Sequence, residues 1–120
     1  MRTAAQAYGT VANKIANQRE LEADLLLKAA ARLQAVRDAW DDKRSDLNDA
    51  LLYNRKLWTI FVASVTEEGN PLSAEIRQNI ANLGIFVFNH TLSVTADPQA
   101  ERLGSLININ RQIAAGLLGR

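Results

Sequence analysis

Apolar residues in this chain recur at helical spacing, most clearly between Asp46 and Thr66, DLNDALLYNRKLWTIFVASVT. At about 100° per residue, Leu47, Leu51, Trp58, Phe61 and Val65 fall on one stripe. Asn54 lies in the middle of that stripe and Arg55 on its shoulder. Leu52, Tyr53, Ile60 and Ala63 spread over the far side. A helix that is apolar on more than one face either sits centrally in a bundle or covers a partner as well as its own core.

The same periodicity predicts the other elements. Ala4, Tyr8, Val11 and Ile15 predict a short N-terminal helix or arm, which Gly9 weakens by about 1 kcal/mol relative to alanine. Asn17 followed by Glu20 predicts a capping box. The helix it starts runs to about Trp40, with Leu26, Ala29, Ala30, Leu33, Val36 and Trp40 as its inner stripe and Leu21 and Leu25 extending it. Asp41 to Asp46 reads as a charged turn, with Asp46, backed by Asp49, capping the central helix. Glu68-Gly69-Asn70-Pro71 is the sharpest break, with Gly69 suited to a left-handed C′ position.

Ser73 then caps a helix from Ala74 to about Val94, again with two apolar faces. Ile76, Ile80, Leu83, Val87 and Val94 form one face, and Ala81, Ile85, Phe88 and Leu92 lie nearly opposite. An amide strip of Gln78, Asn82 and Asn89 runs between them. Val87, Thr91, Val94 and Thr95 keep a strand reading open at its end, although alternation there is poor. Asp97-Pro98 reads as a cap with proline at the first helical position. The last helix runs to about Leu117 on Leu103, Leu106, Ile107, Ala114 and Leu117, with Asn110 mid-stripe and Arg111 after it.

Composition narrows the class. A chain of 120 residues fits one domain with its own core, residues 1–120. The absence of cysteine excludes disulfides and thiolate metal sites. A net charge of +1 supplies no basic field for nucleic acid. The N-terminal residues lack the apolar segment of a secretory signal, and the run Leu57 to Val65 is too short to span a bilayer. These features lead us to expect a soluble, intracellular protein without membrane insertion.

Candidate chemistry is sparse. His90 is the single histidine and has no motif-placed nucleophile or second histidine. The acidic turn lacks the glycine and closing glutamate of a calcium loop. No glycine-rich phosphate loop occurs. The expectation is a non-enzymatic protein with no cofactor and no metal.

Two polar positions stand out. Asn54 and Asn110 occupy sites where leucine would stabilise more. Either they are satisfied inside the bundle, by each other or by water, or they bond the backbone or amides of a bound helix and act in recognition, with Arg55 and Arg111 as the polar neighbours on the seam. The surplus apolar residues likewise have two readings: the second sides of central helices, or a groove for a foreign amphipathic helix.

Five stretches carry a resemblance: AYGTVA (Ala7–Ala12), RELEADLLLKAAARL (Arg19–Leu33), ALLYNRKLWTIF (Ala50–Phe61), NPLSAEIRQNIANLGIFVFNHT (Asn70–Thr91) and LININRQIAAGL (Leu106–Leu117). Together and in this order they resemble the FlaF family of flagellin biosynthesis regulators of alphaproteobacteria. Gln18 departs from the family, which tends to have proline there. The resemblance implies promotion of flagellin production and export, opposed by a partner regulator, FlbT. The opening segment is also similar to that of FliS, the export chaperone that binds flagellin's C-terminal helices. Tyr8 and Asn17 to Leu27 match its pattern of a tyrosine-bearing arm followed by a capped long helix.

The expected fold is all-α: an antiparallel bundle of four long helices with a short N-terminal helix or arm, FliS-like. The expected function is a cytoplasmic chaperone or adaptor for unassembled flagellin, with FlbT as a further partner. The expected groove comprises Leu52, Tyr53, Ile60, Ile85, Phe88 and Leu92, rimmed by Asn82 and Asn89, with Tyr8 filling it when empty. Two alternatives stand beside this. One is a post-transcriptional regulator of flagellin mRNA, direct or through FlbT, against which the scattered Arg37, Lys43, Arg44, Arg55, Lys56 and Arg77 weigh. The other is a structural partner of FlbT.

Overall fold

Thr3 opens the first helix. In the computed structural model, which describes residues 3–119, its Oγ1 accepts from the backbone N–H of Gln6 (3.1 Å), and Gln6 Oε1 accepts from the N–H of Thr3 (2.9 Å). This reciprocal capping box starts α1, Ala4–Asp38, which continues for 35 residues without a break. The separate N-terminal arm is therefore corrected, and so is the cap at Asn17, which lies exposed inside α1. Nothing between Ala16 and Glu20 forbids helix, and Gln18 donates to Glu22 one turn on at 3.0 Å. Gly9 costs too little to stop a helix that is anchored further along.

The chain then turns through α2, Trp40–Lys43, and a single 3₁₀ turn, Arg44–Asp46. Trp40 is thus not the last member of α1's stripe. It is half-buried in the corner, with the Arg44 guanidinium 5.5 Å from its ring centre. Helix α3 spans Leu47–Thr66, and the Asp46 side chain makes no capping hydrogen bond to it. Asp46 is instead the last residue of the 3₁₀ turn, with helical backbone angles, whereas a capping residue needs extended ones.

Helix α4, Ala74–Ala96, opens as expected, with Ser73 Oγ accepting from the N–H of Ile76 at 3.2 Å. It stays helical past Val94, which removes the strand reading. Asp97 does not cap the last helix. The chain forms a 3₁₀ turn at Ala100–Leu103 and only then α5, Gly104–Leu117. Asp97 instead pairs with Arg102 at 3.1 Å and accepts from Gln99 at 2.8 Å.

The link from α3 to α4 is held from both sides. Gly69 takes a positive φ of 84°, in a turn where the Asn70 N–H meets the Glu67 carbonyl at 3.4 Å. It serves that turn rather than the C′ position, because α3 ends at Thr66. Asn70 Nδ2 donates to the Ser64 carbonyl at 3.0 Å, and the Leu72 N–H donates back to Asn70 Oδ1 at 3.0 Å. From the first turn of α4, Arg77 donates to the carbonyls of Val65 (2.7 Å) and Glu67 (3.0 Å). It satisfies α3's terminal acceptors and places a cation at the negative end of that helix.

Cross-chain contacts fix the directions. Gly104 lies beside Arg37 while Asn110 reaches the Leu26 carbonyl, so α5 runs antiparallel to α1. Arg32 stacks on Tyr53 with its guanidinium 4.6 Å from the ring centre, and Lys14 to Glu22 line a cavity with Phe61 and Val65, so α3 is also antiparallel to α1. Arg77 meets Val65 and Gly84 meets Val62, so α4 runs back against α3. The described residues are all-helical and contain no strand.

The core is the union of the sequence stripes. Leu26, Ala29, Ala30, Leu33 and Val36 of α1 meet Leu47, Leu51, Trp58, Phe61 and Val65 of α3, Ile80, Val87 and Val94 of α4, and Leu106, Ile107 and Ala114 of α5. Each buried Leu, Ile, Val or Phe contributes about 1.5–3 kcal/mol of transfer free energy. Leu21 and Ile76, expected inside, are exposed, and Ala23 takes the inward position near the start of the stripe. Gly84 is buried against α3, and a Cβ there would overlap Val62 Cγ2.

The molecule measures 60 × 24 × 22 Å. At 1.5 Å per residue α1 is about 52 Å long, whereas helices of 20 and 23 residues span only about 30–35 Å. The first half of α1 therefore overhangs the bundle. From Thr3 to Leu21 every residue is exposed except half-buried Gly9.

Candidate functional site

The seam amides resolve at the centre of the core. Trp58 Nε1–H can only donate, and it donates to Asn110 Oδ1 at 2.9 Å. This fixes the Asn110 amide with its Nδ2 toward Asn54, whose Oδ1 accepts at 2.7 Å. The same Nδ2 reaches the Leu26 carbonyl at 3.4 Å. Both asparagines are fully buried, so they pair inside the bundle and present nothing to a foreign helix. Asn54 Nδ2 has no hydrogen-bond partner among the described residues. Arg55 and Arg111 are exposed beside this network, and Arg111 Nη2 donates to Gln34 Oε1 at 3.3 Å.

The expected groove residues divide into two groups. Leu52 and Ile60 of α3 and Ile85 and Leu92 of α4 remain open to solvent, at 39%, 66%, 59% and 65% exposure. Asn82 and Asn89 are exposed on the same side of α4 as Ile85 and Leu92, and Asn82 accepts from Gln78 at 2.9 Å. Tyr53 and Phe88 are different: both are half-buried and pack against the core, Tyr53 beneath Arg32. Neither of the two main cavities is lined by any of these residues. Leu52 and Ile60 on α3, and Ile85 and Leu92 on α4, are apolar side chains open to solvent, with no closed groove around them among the described residues. Tyr8 does not cover them, because its ring stands 79% exposed on the α1 overhang.

Phe86 of α4 is a further apolar residue open to solvent that was not anticipated. It is exposed and lies flat against His90, ring centres 5.3 Å apart. His90 Nε2 faces the Arg102 carbonyl at 2.7 Å, so that nitrogen carries the proton and donates. The histidine thereby ties α4 to the turn before α5.

A second feature had no counterpart in the sequence pattern. Where α1 leaves the bundle, a cavity of about 390 Å³ opens against it. It is lined by apolar Trp58, Phe61, Leu72, Ile80 and Leu117, and its α1 side carries Lys14, Ile15, Gln18, Arg19 and Glu22. The other cavity, about 280 Å³, lies at the opposite end among Arg32, Lys43, Asp46 and Asp49. Among the described residues no three acidic or histidine side chains come together to hold a metal ion, and no helix is long and apolar enough to cross a membrane.

No curated protein and no solved structure matches the chain. A family model does match, described as flagellar protein FlaF, over residues 4–117. That span runs from the first residue of α1 to the last of α5 and takes in both the buried amide network and the exposed α3 and α4 surface. The chain therefore belongs to the FlaF family of flagellar proteins.

Proposed function

We propose that the protein is a cytoplasmic adaptor or chaperone for unassembled flagellin, promoting its synthesis and export in the manner of FliS. The observation that carries this is the apolar surface left on the folded chain. Ile60, Ile85 and Leu92 are each more than half exposed although the core is complete without them. Large exposed apolar side chains on adjacent helices are a liability unless something covers them. A flagellar partner with its own unpaired amphipathic helix would supply that cover through anchors at helical spacing, with Asn82 and Asn89 offering amides at the edge. FlbT is a further candidate partner, and direct contact with RNA has little support from a net charge of +1.

The test is gel filtration of the purified protein with flagellin, with FlbT, and with flagellin leader RNA at moderate salt. Co-elution with flagellin is the expected result. Co-elution with the RNA alone would replace the chaperone by an mRNA regulator, and co-elution with FlbT alone would leave a structural partner of FlbT.

A further inference from the structure

The overhanging half of α1 is a helix without a bundle around it. Ile15 lines the cavity beside the ends of α3 and α5, and Ala4, Tyr8 and Val11 continue the line of α1's core stripe past it. Ala5, Gly9, Ala12 and Ala16 form a second line beside it, small enough for another helix to approach closely. Tyr8 is 79% and Val11 57% exposed. From Thr3 to Asn13 the helix bears no charged residue. An isolated helix of this length is marginal in water, and a solvated arm would carry charge.

We propose that this overhang pairs antiparallel with the overhang of a second copy, forming a two-fold symmetric dimer. Three features of the surface are self-complementary in that arrangement. The first is shape. Sliding two overhangs past each other until their tips reach the partner's bundle sets Tyr8 of one copy between Ile15 and Gln18 of the other, at the mouth of the 390 Å³ cavity. An aromatic ring with a hydroxyl at its end suits a cavity with Trp58, Phe61 and Leu117 beneath and Gln18 and Glu22 at the rim.

The second is charge. The root of the overhang carries Glu20, Glu22 and Asp24 against Lys14 and Arg19, one negative charge in excess. The tip is the positive end of a long helix dipole. Antiparallel overlap sets each tip beside the other's acidic root, whereas parallel overlap would set root on root. The third is the contact line itself. A two-fold axis near Ala12 makes each copy offer and receive the same stripe, and the uncharged segment meets its own copy without like-charge repulsion. This dimer uses neither Ile60 nor Leu92, so the proposed flagellin surface stays free.

The chain has no cysteine, so one introduced thiol reports contacts between copies without interference. Sedimentation velocity of the wild-type protein at micromolar concentration is expected to give twice the chain mass. Val11→Glu, at an exposed position, is expected to return it to the single-chain mass with an unchanged helical circular dichroism spectrum. Under oxidation, Ala12→Cys should form a covalent dimer and Tyr8→Cys should not, while Tyr8→Cys mixed with Ile15→Cys should. A wild-type chain sedimenting as one copy overturns the proposal, as does a dimer that survives Val11→Glu. A Tyr8→Cys homodimer linked through that thiol overturns the antiparallel arrangement.

Discussion

Asn110 donates to Asn54 across 2.7 Å in the middle of the core, and both side chains are fully shielded from solvent. The pair is not symmetric. Asn110 also accepts from Trp58 and touches the Leu26 carbonyl, so it joins α5 to both α3 and α1. Asn54 makes the single bond to Asn110 and keeps its own Nδ2 unpartnered among the described residues. Replacing Asn110 by leucine strands the Trp58 N–H and the Asn54 oxygen. At about 1–3 kcal/mol for each stranded buried group, Asn110→Leu should cost on the order of 2–4 kcal/mol in urea unfolding. Asn54→Leu removes a polar group that is already half satisfied and should change stability by less than about 1 kcal/mol. Equal losses for the two variants would contradict this assignment of the amides.

Gly84 sets the distance between α3 and α4. Alanine would gain about 1 kcal/mol of helix propensity but would press its methyl on Val62. Valine in a helix has one strongly preferred rotamer, so it yields poorly. Gly84→Ala should therefore destabilise the fold by about 1–3 kcal/mol, read as a lower urea midpoint. A stabilised variant would mean that the helices separate freely.

Arg77 holds the end of α3 through two carbonyls. Arg77→Ala should lower stability by about 1 kcal/mol, because hydrogen bonds made by a partly exposed charge are partly replaced by water. Lysine should recover little, since it cannot present two donors in a fixed fork. Full recovery by Arg77→Lys in thermal melts would reduce the effect to charge alone.

The overhang and the bundle should differ in local stability. Amides of residues 5–13 lie beyond the cavity on the exposed part of α1 and should exchange hydrogen orders of magnitude faster than those of Leu26 to Val36 when the protein is dilute. Protection of the overhang should rise with protein concentration. Uniform slow exchange along α1 at every concentration would show that the overhang is held within one chain.

Much of the fold was legible because one signal dominates it. The stripe Leu47–Leu51–Trp58–Phe61–Val65, read at helical spacing, is buried throughout, whereas Tyr8–Val11–Ile15 shows the same spacing and is exposed, because no second helix lies over it. The failures lie at helix ends, where local signals compete. Asn17 and Glu20 spell a capping box, yet helix continues through them because no breaker intervenes, while the box that forms, Thr3 with Gln6, was passed over. Asp46 and Asp97 carry the right side chain for a cap, but Asp46 is the last residue of a 3₁₀ turn, and Asp97 closes α4 with a further 3₁₀ turn between it and α5. The surplus of apolar residues over what the core takes was legible: Leu52, Ile60, Ile85 and Leu92 are exposed. Tyr53 and Phe88 were misplaced because they sit at the flank of a stripe, where one helical step decides between core and solvent. The cavity at the root of the overhang could not be read at all, since it joins Ile15, Leu72, Ile80 and Leu117 from four separate segments.

We propose that the open apolar side chains of α3 and α4 hold flagellin. The most direct measurement is the flagellin affinity of the wild-type protein beside Ile60→Glu and Leu92→Glu, by titration calorimetry, with urea midpoints measured in parallel. Both positions are exposed, so the midpoints should stay within about 0.5 kcal/mol of wild type. The account predicts that binding weakens at least tenfold, or about 1.4 kcal/mol, in each variant. Wild-type affinity in both would contradict it.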